Sequence, residues 1–174
     1  YETPLSAAYI DHGLRPIETP HEIDFCSELC ASLGVSFMHR KIDVVSFARK
    51  ERLNKHEAAR EVRYKVLEEI RRDVRAHKIA LGHNADDQAE TILMRLFRGT
   101  GPSGLSGIPP MRGQIIRPLI EMERKDIEAF LEKEGIGFIV DSSNLKTEYI
   151  RNKIRHLILP TIKGMNREVV KTMT

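Results

Sequence analysis

Three carboxylates crowd a short stretch of the sequence, GHNADDQAETILMRLFRGTG, which covers residues 82–101. Asp86, Asp87 and Glu90 would share one face of a helix, and no cationic side chain lies among them. Like charges three or four positions apart destabilise a helix by roughly 0.2–0.5 kcal/mol per pair. A helix start would accommodate them, because Asn84 can cap it and acidic residues favour its positive end. A bound cation, either Mg²⁺ or a substrate ammonium, would offset the repulsion more completely.

Two histidines stand at the ends of predicted strands. His12 follows the strand LSAAYID, and His83 follows the strand KIALGH. A single histidine is more often a structural hydrogen-bonding residue than a catalyst, but two at equivalent positions favour a functional role. His83 also directly precedes the acidic stretch, which favours a ligand site there over a helix start alone.

Arginine pairs occur at two places with the spacing of one helical turn. Arg60 and Arg63 lie in HEAAREVRY, and Arg151 and Arg155 lie in RNKIR. Each pair could hold a phosphate or a carboxylate, because a guanidinium donates hydrogen bonds in a planar fork. Each pair could equally face solvent. Both belong to longer basic stretches, residues 49–78 and the C-terminal tail, which suggest a polyanionic partner.

The composition is that of an ordinary globular domain. The chain has 174 residues, of which 41% are hydrophobic and 30% charged, and its formal net charge is +3. Cys26 and Cys30 do not form a CxxC pattern, so we expect free thiols in a reducing cytoplasm. No apolar run is long enough to span a membrane, and the first residues lack a signal-peptide pattern.

Predicted strands and helices alternate along the chain. The strands are expected at residues 5–11, 35–43, 78–83 and 115–120, and the helices at residues 19–34, about 55–76, 85–99, 123–136 and 147–162. This order predicts an α/β fold with a parallel sheet, helices on its faces and right-handed crossovers. Ligands in such folds bind beyond the carboxyl ends of the strands. We therefore expect the segments DHGLR and GHNADD to converge on one rim of the sheet.

Residue types also predict details of the helices. Thr19 is expected to cap the first helix, with Pro20 in its first turn. Leu96 and Phe97 are expected to face the core from the third helix, and Phe130 from the fourth. A proline, Pro160, should interrupt the last and basic helix.

Several segments together resemble one family. They are HGLR, EAAREVRY, GHNADDQAETILMRLFRGTG, GLSGIPP, IIRPLI, and DSSN followed by YIRNKIRHLILP, in this order along nearly the whole chain. The resemblance is to the catalytic domain of tRNA(Ile)-lysidine synthetase, within the N-type ATP pyrophosphatase (PP-loop) superfamily. It implies a Rossmann-like parallel sheet with helices on both faces over residues 1–118, and a small, mostly helical C-terminal part over residues 119–174.

The resemblance implies an ATP-dependent ligase that modifies tRNA. ATP, with Mg²⁺, would adenylate the C2 oxygen of the wobble cytidine of tRNA(Ile) with the anticodon CAU, and pyrophosphate would leave. The ε-amine of free L-lysine would then attack C2 and displace AMP, which gives lysidine. A carboxylate must hold and deprotonate the incoming ammonium, because only the free amine is nucleophilic. The resemblance further implies a cytoplasmic enzyme and suggests a homodimer.

Roles for individual residues follow from the same resemblance. The expected catalytic residues are Asp87, Glu90, Arg63 and Arg155. The two carboxylates would hold lysine, and the two guanidiniums would lie near the phosphate or the adenylate. The expected nucleotide-binding residues are His12, Gly13, His83 and Asp86. The expected contacts to tRNA phosphates are Arg60 and Arg151. No metal ligand is assigned.

One segment expected from the family does not occur in the sequence. The family's ATP-binding loop, SGGxDS, would follow a strand upstream of Tyr1. A polypeptide that begins at Tyr1 would lack this pyrophosphate cradle, and we would expect little or no ATP hydrolysis from it. Two alternatives therefore stay open. One is a tRNA-thiolating PP-loop enzyme, which the missing CxxC pair disfavours, and the other is a noncatalytic RNA-binding fragment.

Overall fold

The computed structural model describes residues 4–101, 105–141 and 150–173. The chain divides into two compact units, one up to Ile79 and one from Ala80. Within the described residues, no helix is long and apolar enough to cross a membrane. Each unit has its own buried apolar cluster.

A parallel pair of strands forms the centre of the first unit. Strands β1 (Ser6–Asp11) and β2 (Ser36–Lys41) run side by side, with Ser6 opposite Ser36 and Asp11 opposite Lys41. Helix α1 (Thr19–Ser32) connects the strands and packs against both. Helices α2 (Val44–Glu51) and α3 (Lys55–Asp73) follow, and α3 packs against β1. The predicted α/β class, with parallel strands flanked by helices, is confirmed.

Capping side chains determine where α2 and α3 begin. Asp43 accepts a hydrogen bond from a backbone N–H of the first turn of α2 at 3.0 Å. Asn54 accepts two such bonds at the start of α3, at 3.1 and 3.0 Å. These bonds satisfy N–H groups that have no partner within the helix. The sequence prediction lacks α2, because its eight residues bury only Val44 and Ala48 and give a short apolar pattern.

The second unit is built around helix α4 (Ala85–Phe97). Its small sheet has the order β3–β5–β4, where β3 is Ile79–Ala80, β4 is Met111–Arg112 and β5 is Ile115–Ile116. Helix α5 (Arg124–Lys133) follows. The last helical segments are α6 (Ile150–Lys153), a π turn (Ile154–Ile158), α7 (Leu159–Met165) and α8 (Val169–Thr172). The buried cluster joins α4 to these segments through Ala85, Ala89, Leu93, Ile154, Leu159, Val169 and Val170.

Some predicted details of the helices are wrong. Thr19 is the first residue of α1 rather than its cap, and Glu18, at the cap position, makes no side-chain capping bond. Leu96 and Phe97 are 51% and 53% exposed, because they lie in the last turn of α4, beyond the residues that reach the buried cluster. Phe130 is also exposed, and α5 has no buried residue. The segment DSSN lies outside the described residues except for Asp141.

Helix α4 also holds the loop that follows it. The Gln88 amide donates to Ile108 O at 3.2 Å and accepts from Ile108 N, and Arg95 donates to Gly107 O at 3.0 Å. Gly107 has a φ of +66°, and a Cβ there would lie 2.4 Å from the Gln88 Oε1 atom. Only glycine fits this close approach in the left-handed conformation.

We expect Gly107→Ala to lower the free energy of unfolding by about 1–3 kcal/mol, because the buried Gln88 would have to give up its bonds to Ile108. Urea unfolding followed by circular dichroism measures the loss. Gly101→Ala is the matched control, since a Cβ at Gly101 meets nothing within 4 Å. Equal stability of the two variants would contradict this account of the loop.

Candidate active site

The acidic residues of α4 begin a properly capped helix. Asn84 Oδ1 accepts a hydrogen bond from Asp87 N at 3.0 Å, and Asp87 Oδ2 accepts one from Asn84 N at 3.1 Å. This reciprocal pair is a capping box, which satisfies two backbone donors at once. The helix-start interpretation of the sequence is therefore correct for Asp87, but the bond uses only one of its two oxygens.

Two arginines neutralise the remaining carboxylate oxygens. Glu90 is fully buried, and it accepts from Arg151 Nε at 2.7 Å and from Arg155 Nε and Nη2 at 2.6 and 3.0 Å. Asp87 Oδ1 lies 3.1 Å from Arg151 Nη2 and 3.4 Å from Arg155 Nη2. Burial, the largest single influence, lowers the pKa of Arg155, but the hydrogen bond to Glu90 and the charges of Glu90, Asp87 and Asp86 together outweigh it and raise the pKa. Two sequence-distant arginines thus supply the cations that the stretch around these carboxylates does not contain.

Asp86 forms a second, adjacent ion pair. Its Oδ1 accepts from Lys163 Nζ at 2.7 Å, and its Oδ2 accepts from Arg124 N at 2.7 Å. Lys163 Nζ also lies 3.6 Å from an oxygen of Glu123, whose side chain is only 3% exposed. Burial acts to raise the pKa of Asp86, but the bonds from Arg124 and Lys163 outweigh it and lower the pKa. Asp86 is therefore held as a carboxylate at neutral pH.

A π turn places the side chains of Arg151, Arg155 and Lys163 on one face of the C-terminal helical segment. In a continuous α-helix, which turns about 100° per residue, Arg151 and Lys163 would project roughly 120° apart. The π turn between them, where Leu159 N donates to Ile154 O, takes up one extra residue and reduces that angle to roughly 20°. The turn also accommodates Pro160, which lacks an N–H group and would clash with the preceding turn of a regular α-helix. The chain thus stays helical through Pro160, and the predicted interruption is a change of helix type.

A cavity of about 300 Å³ adjoins these ion pairs. Its charged and polar lining residues are Asp86, Glu90, Arg124, Arg155, His156 and Lys163, and its apolar lining residues are Val140, Leu159 and Pro160. The volume is at the lower end of the range for small-molecule sites. A wall with three cationic and two acidic side chains beside an apolar one suits a small charged ligand with an aliphatic part.

The first unit brings together another set of predicted site residues. Gly13, with a φ of +66°, turns the chain after β1 and donates from its N to Asp11 Oδ1 at 2.7 Å. Within the described residues, His12 Nδ1 and Arg63 Nε are buried and have no hydrogen-bond partner. The guanidiniums of Arg60 and Arg63 lie 5.1 and 5.7 Å from the ring centre of Tyr64. This group offers donors for an anion.

Burial, and then the nearby Arg63 charge, lower the pKa of His12. We expect NMR titration of His12 to give a midpoint below the ordinary value of about 6.5 for histidine. Arg63→Met should move that midpoint upwards, because it removes the repulsive charge. Lys65→Met, which removes an exposed charge from the same helix, is the control. An unchanged midpoint in Arg63→Met would show that the two side chains are not coupled.

The predicted site residues therefore fall into two groups. The second unit assembles Asp86, Asp87, Glu90, Arg151 and Arg155, and the first assembles His12, Gly13, Arg60 and Arg63. His83 is half-buried and immediately precedes the Asn84 cap. Convergence of the two groups on one rim stays a prediction.

Sequence reasoning missed Lys163, Glu123 and Arg124 as site residues. The sequence marks Lys163 only as one charge of a basic tail, and the other two only as part of a predicted helix. Arg124 and Lys163 reach Asp86 across 38 and 77 positions of the sequence, and contacts at such separations have no simple sequence signal.

Among the described residues, the α4 carboxylates are not arranged as an open magnesium site in this structure. Mg²⁺ requires several open oxygen ligands in octahedral geometry. The oxygens of Asp87 and Glu90 already accept hydrogen bonds from arginines and from the backbone. Within the described residues, no group of three or more His, Cys, Asp or Glu side chains is placed to hold a metal ion.

Curated relatives match almost all of the chain. It is 45% identical to the tRNA(Ile)-lysidine synthase of Thermosipho africanus over 93% of its residues. It is 40% identical to the enzymes of the same name from Clostridium acetobutylicum and Clostridioides difficile, over 98% and 97% of its residues. The chain spans only 37–38% of the length of these three relatives.

A solved structure and a family match agree on the fold. The U34-tRNA thiolase NcsA from Methanococcus maripaludis, with its [4Fe-4S] cluster, superposes with a TM-score of 0.77 over 97% of this chain and 59% of that one. The identity is 17%, so this likeness concerns the fold. The PP-loop domain family matches residues 2–162. With that match over most of its length, and with the parallel α/β unit described above, the chain belongs to the PP-loop family.

Proposed function

We propose that this chain is the PP-loop part of a tRNA(Ile)-lysidine synthase, an ATP-dependent ligase that modifies tRNA. The observation that carries the proposal is the similarity of nearly the whole chain, at 45% identity, to the Thermosipho africanus enzyme of that name. Membership in the PP-loop family implies ATP binding. The proposed substrates are ATP, free L-lysine and tRNA(Ile) with the anticodon CAU.

The reaction has two steps. The C2 oxygen of the wobble cytidine attacks the α-phosphorus of ATP, which releases pyrophosphate and forms an adenylated base. The ε-amine of lysine then forms a bond to C2, and the C2–O bond breaks to release AMP. The amine must arrive without its extra proton, so a nearby carboxylate that accepts this proton would raise the rate.

The ion pairs of α4 suggest an order for these steps. Asp87 and Glu90 are the proposed binding groups for the lysine ε-ammonium, but guanidiniums occupy them in this structure. A substrate ammonium can take that place only if a guanidinium moves away. Phosphate is an alternative partner for Arg155 and for Arg151, which is proposed to contact tRNA, because it accepts two parallel hydrogen bonds from a guanidinium. Nucleotide and tRNA would thus prepare the site before lysine is used.

The first unit is proposed to contribute contacts to the nucleotide. Arg63 is proposed to approach the phosphate or adenylate, and Arg60 a tRNA phosphate, since both guanidiniums stand on one turn of α3. His12, Gly13, His83 and Asp86 are the proposed nucleotide-binding residues. Mg²⁺ is proposed to enter as the Mg²⁺ complex of ATP, held by phosphate oxygens, which is the common mode for this ion.

The test follows label from lysine into tRNA. The complete gene product is incubated with ATP, tRNA(Ile) and ¹⁴C-lysine, and the tRNA is digested to nucleosides. Label in the wobble nucleoside supports the proposal, and its absence with active ATP–pyrophosphate exchange contradicts it. Uptake of sulfur instead of lysine would indicate a thiolating enzyme. RNA binding without pyrophosphate exchange would indicate a noncatalytic module, and light scattering of the same sample tests the proposed homodimer.

A further inference from the structure

Side chains from a strand and from a loop of the first unit converge on Glu22. Glu22 lies in the first turn of α1, and its side chain is only 12% exposed. Arg15, in the loop between β1 and α1, donates two parallel hydrogen bonds to its carboxylate, from Nη1 at 2.7 Å and from Nη2 at 2.9 Å. Tyr9, on β1, donates its hydroxyl to the same carboxylate. This group therefore joins the strand, the loop and the helix.

The bonds within this group are of the strong kind. An arginine that donates two parallel bonds to a carboxylate fixes both side chains in direction as well as in distance. Burial, and then the hydrogen bond to Glu22, raise the pKa of Tyr9, so its hydroxyl stays a neutral donor. Both oxygens of Glu22 accept bonds from within the unit. The arrangement therefore suits holding the chain in place better than binding a ligand.

The loop that contains Arg15 covers residues 12–18 and begins with the two proposed nucleotide-binding residues of this unit. Leu14 and Ile17, its two large apolar side chains, are 52% and 91% exposed. Apolar packing therefore contributes little to the shape of the loop. The fork from Arg15 to Glu22 ties the middle of the loop to α1 instead.

Arg15 also acts on His12 through its charge. Burial and the Arg63 charge are the larger causes that lower the pKa of His12, and the Arg15 charge adds to them. Such an effect falls off with distance, so the Arg15 guanidinium lies near the imidazole. A second carboxylate, that of Glu18, accepts from Arg15 Nη1 at 2.9 Å, but its side chain is 43% exposed and contributes less. The position of Arg15 therefore depends chiefly on Glu22.

We infer that Glu22 is a positioning residue for nucleotide binding, which acts through Arg15 on the loop that carries His12. The inference rests on the proposed function, because that proposal assigns His12 and Gly13 to the nucleotide. Glu22 itself need not touch ATP. Without the fork, the loop is in its binding conformation for a smaller fraction of the time, and the apparent affinity for ATP falls in proportion. Lysine binding and the chemical steps should not change.

Glu22→Gln in the complete gene product tests the inference, because glutamine keeps the shape of the side chain but loses the charge. The Kd for ATP, measured by calorimetry, and the KM for ATP should both rise about 10-fold, the factor expected when a hydrogen bond to a charged group is lost. The kcat at saturating ATP and the KM for lysine should stay the same, which also shows that the variant is folded. Glu28→Gln, which changes an exposed carboxylate of the same helix, is the control.

A double variant shows whether Glu22 acts through Arg15. Arg15→Met should weaken ATP binding about as much as Glu22→Gln, and the two changes together should do no more than either one, because both break the same fork. Tyr9→Phe leaves the fork intact and should have a smaller effect.

Three results would overturn the inference: an unchanged Kd for ATP in Glu22→Gln, an equal rise in the KM for lysine, or additive effects of Glu22→Gln and Arg15→Met. ATP affinities in the expected order without any lysidine formation would support the role of Glu22 and contradict the proposed function.

Discussion

Asp87→Asn is expected to reduce lysine-dependent AMP release about 100-fold or more, the size of a lost acid–base contribution. The asparagine amide can still accept the hydrogen bond from Asn84 N, so the helix start should survive. The charge that faces Arg151, Arg155 and the proposed substrate ammonium is lost. ATP–pyrophosphate exchange in the presence of tRNA should persist, because adenylation does not need the lysine amine.

The measurement compares AMP release and pyrophosphate exchange in the complete gene product. Asp126→Asn, on exposed α5, is the control and should leave both rates unchanged. Unchanged AMP release in Asp87→Asn would remove Asp87 from the site. Loss of pyrophosphate exchange to the same degree would show that Asp87 acts before lysine enters.

Glu90→Ala is expected to lower the free energy of unfolding by about 3–5 kcal/mol, which is the usual cost of removing one partner from a buried ion pair. Glu90 is fully buried and accepts three hydrogen bonds from Arg151 and Arg155. Its loss leaves two guanidiniums facing each other with only Asp87 between them. Glu90→Gln keeps the shape but removes the charge, and it should fall between Glu90→Ala and the unmodified chain.

Urea unfolding measures these differences, and Glu61→Ala is the matched control. Glu61 forms an exposed pair with Lys65 one helical turn away, at 3.2 Å, and such pairs contribute roughly 0.5 kcal/mol or less. If Glu90→Ala were as mild as Glu61→Ala, the buried cluster would not be a source of stability. The pairing of Glu90 with the two arginines would then need a functional explanation alone.

Local chemistry made part of this molecule predictable. Asn84 identifies the start of α4, and Gly34, with a φ of +66°, follows the end of α1, because both positions have backbone requirements that few residues meet. The spacing of Arg151 and Arg155 was enough to mark them as a pair. What they pair with was not predictable, since no local signal shows that an arginine will cross 61 residues to Glu90.

Other errors have the same origin. Leu96 and Phe97 fit the apolar stripe of α4, yet the packing partners of the helix end before them. The carboxylates of α4 have no cation among them in the sequence, because their arginine partners lie 61 to 68 positions away. The position of Lys163 depends on a π turn of only five residues, and no residue type in it predicts this kind of helix.

The wide turn before Pro160 has a consequence for how this segment can change in length. A regular α-helix with one residue fewer between Arg155 and Lys163 would present all three cations at the same angles. Loss of a single residue there would leave the three cationic side chains projecting in the same directions. Loss of one residue between Arg151 and Arg155 would instead rotate one guanidinium by about 100° relative to the other. The turn therefore marks a part of this helical stretch where the loss of one residue would preserve the arrangement of the three cations.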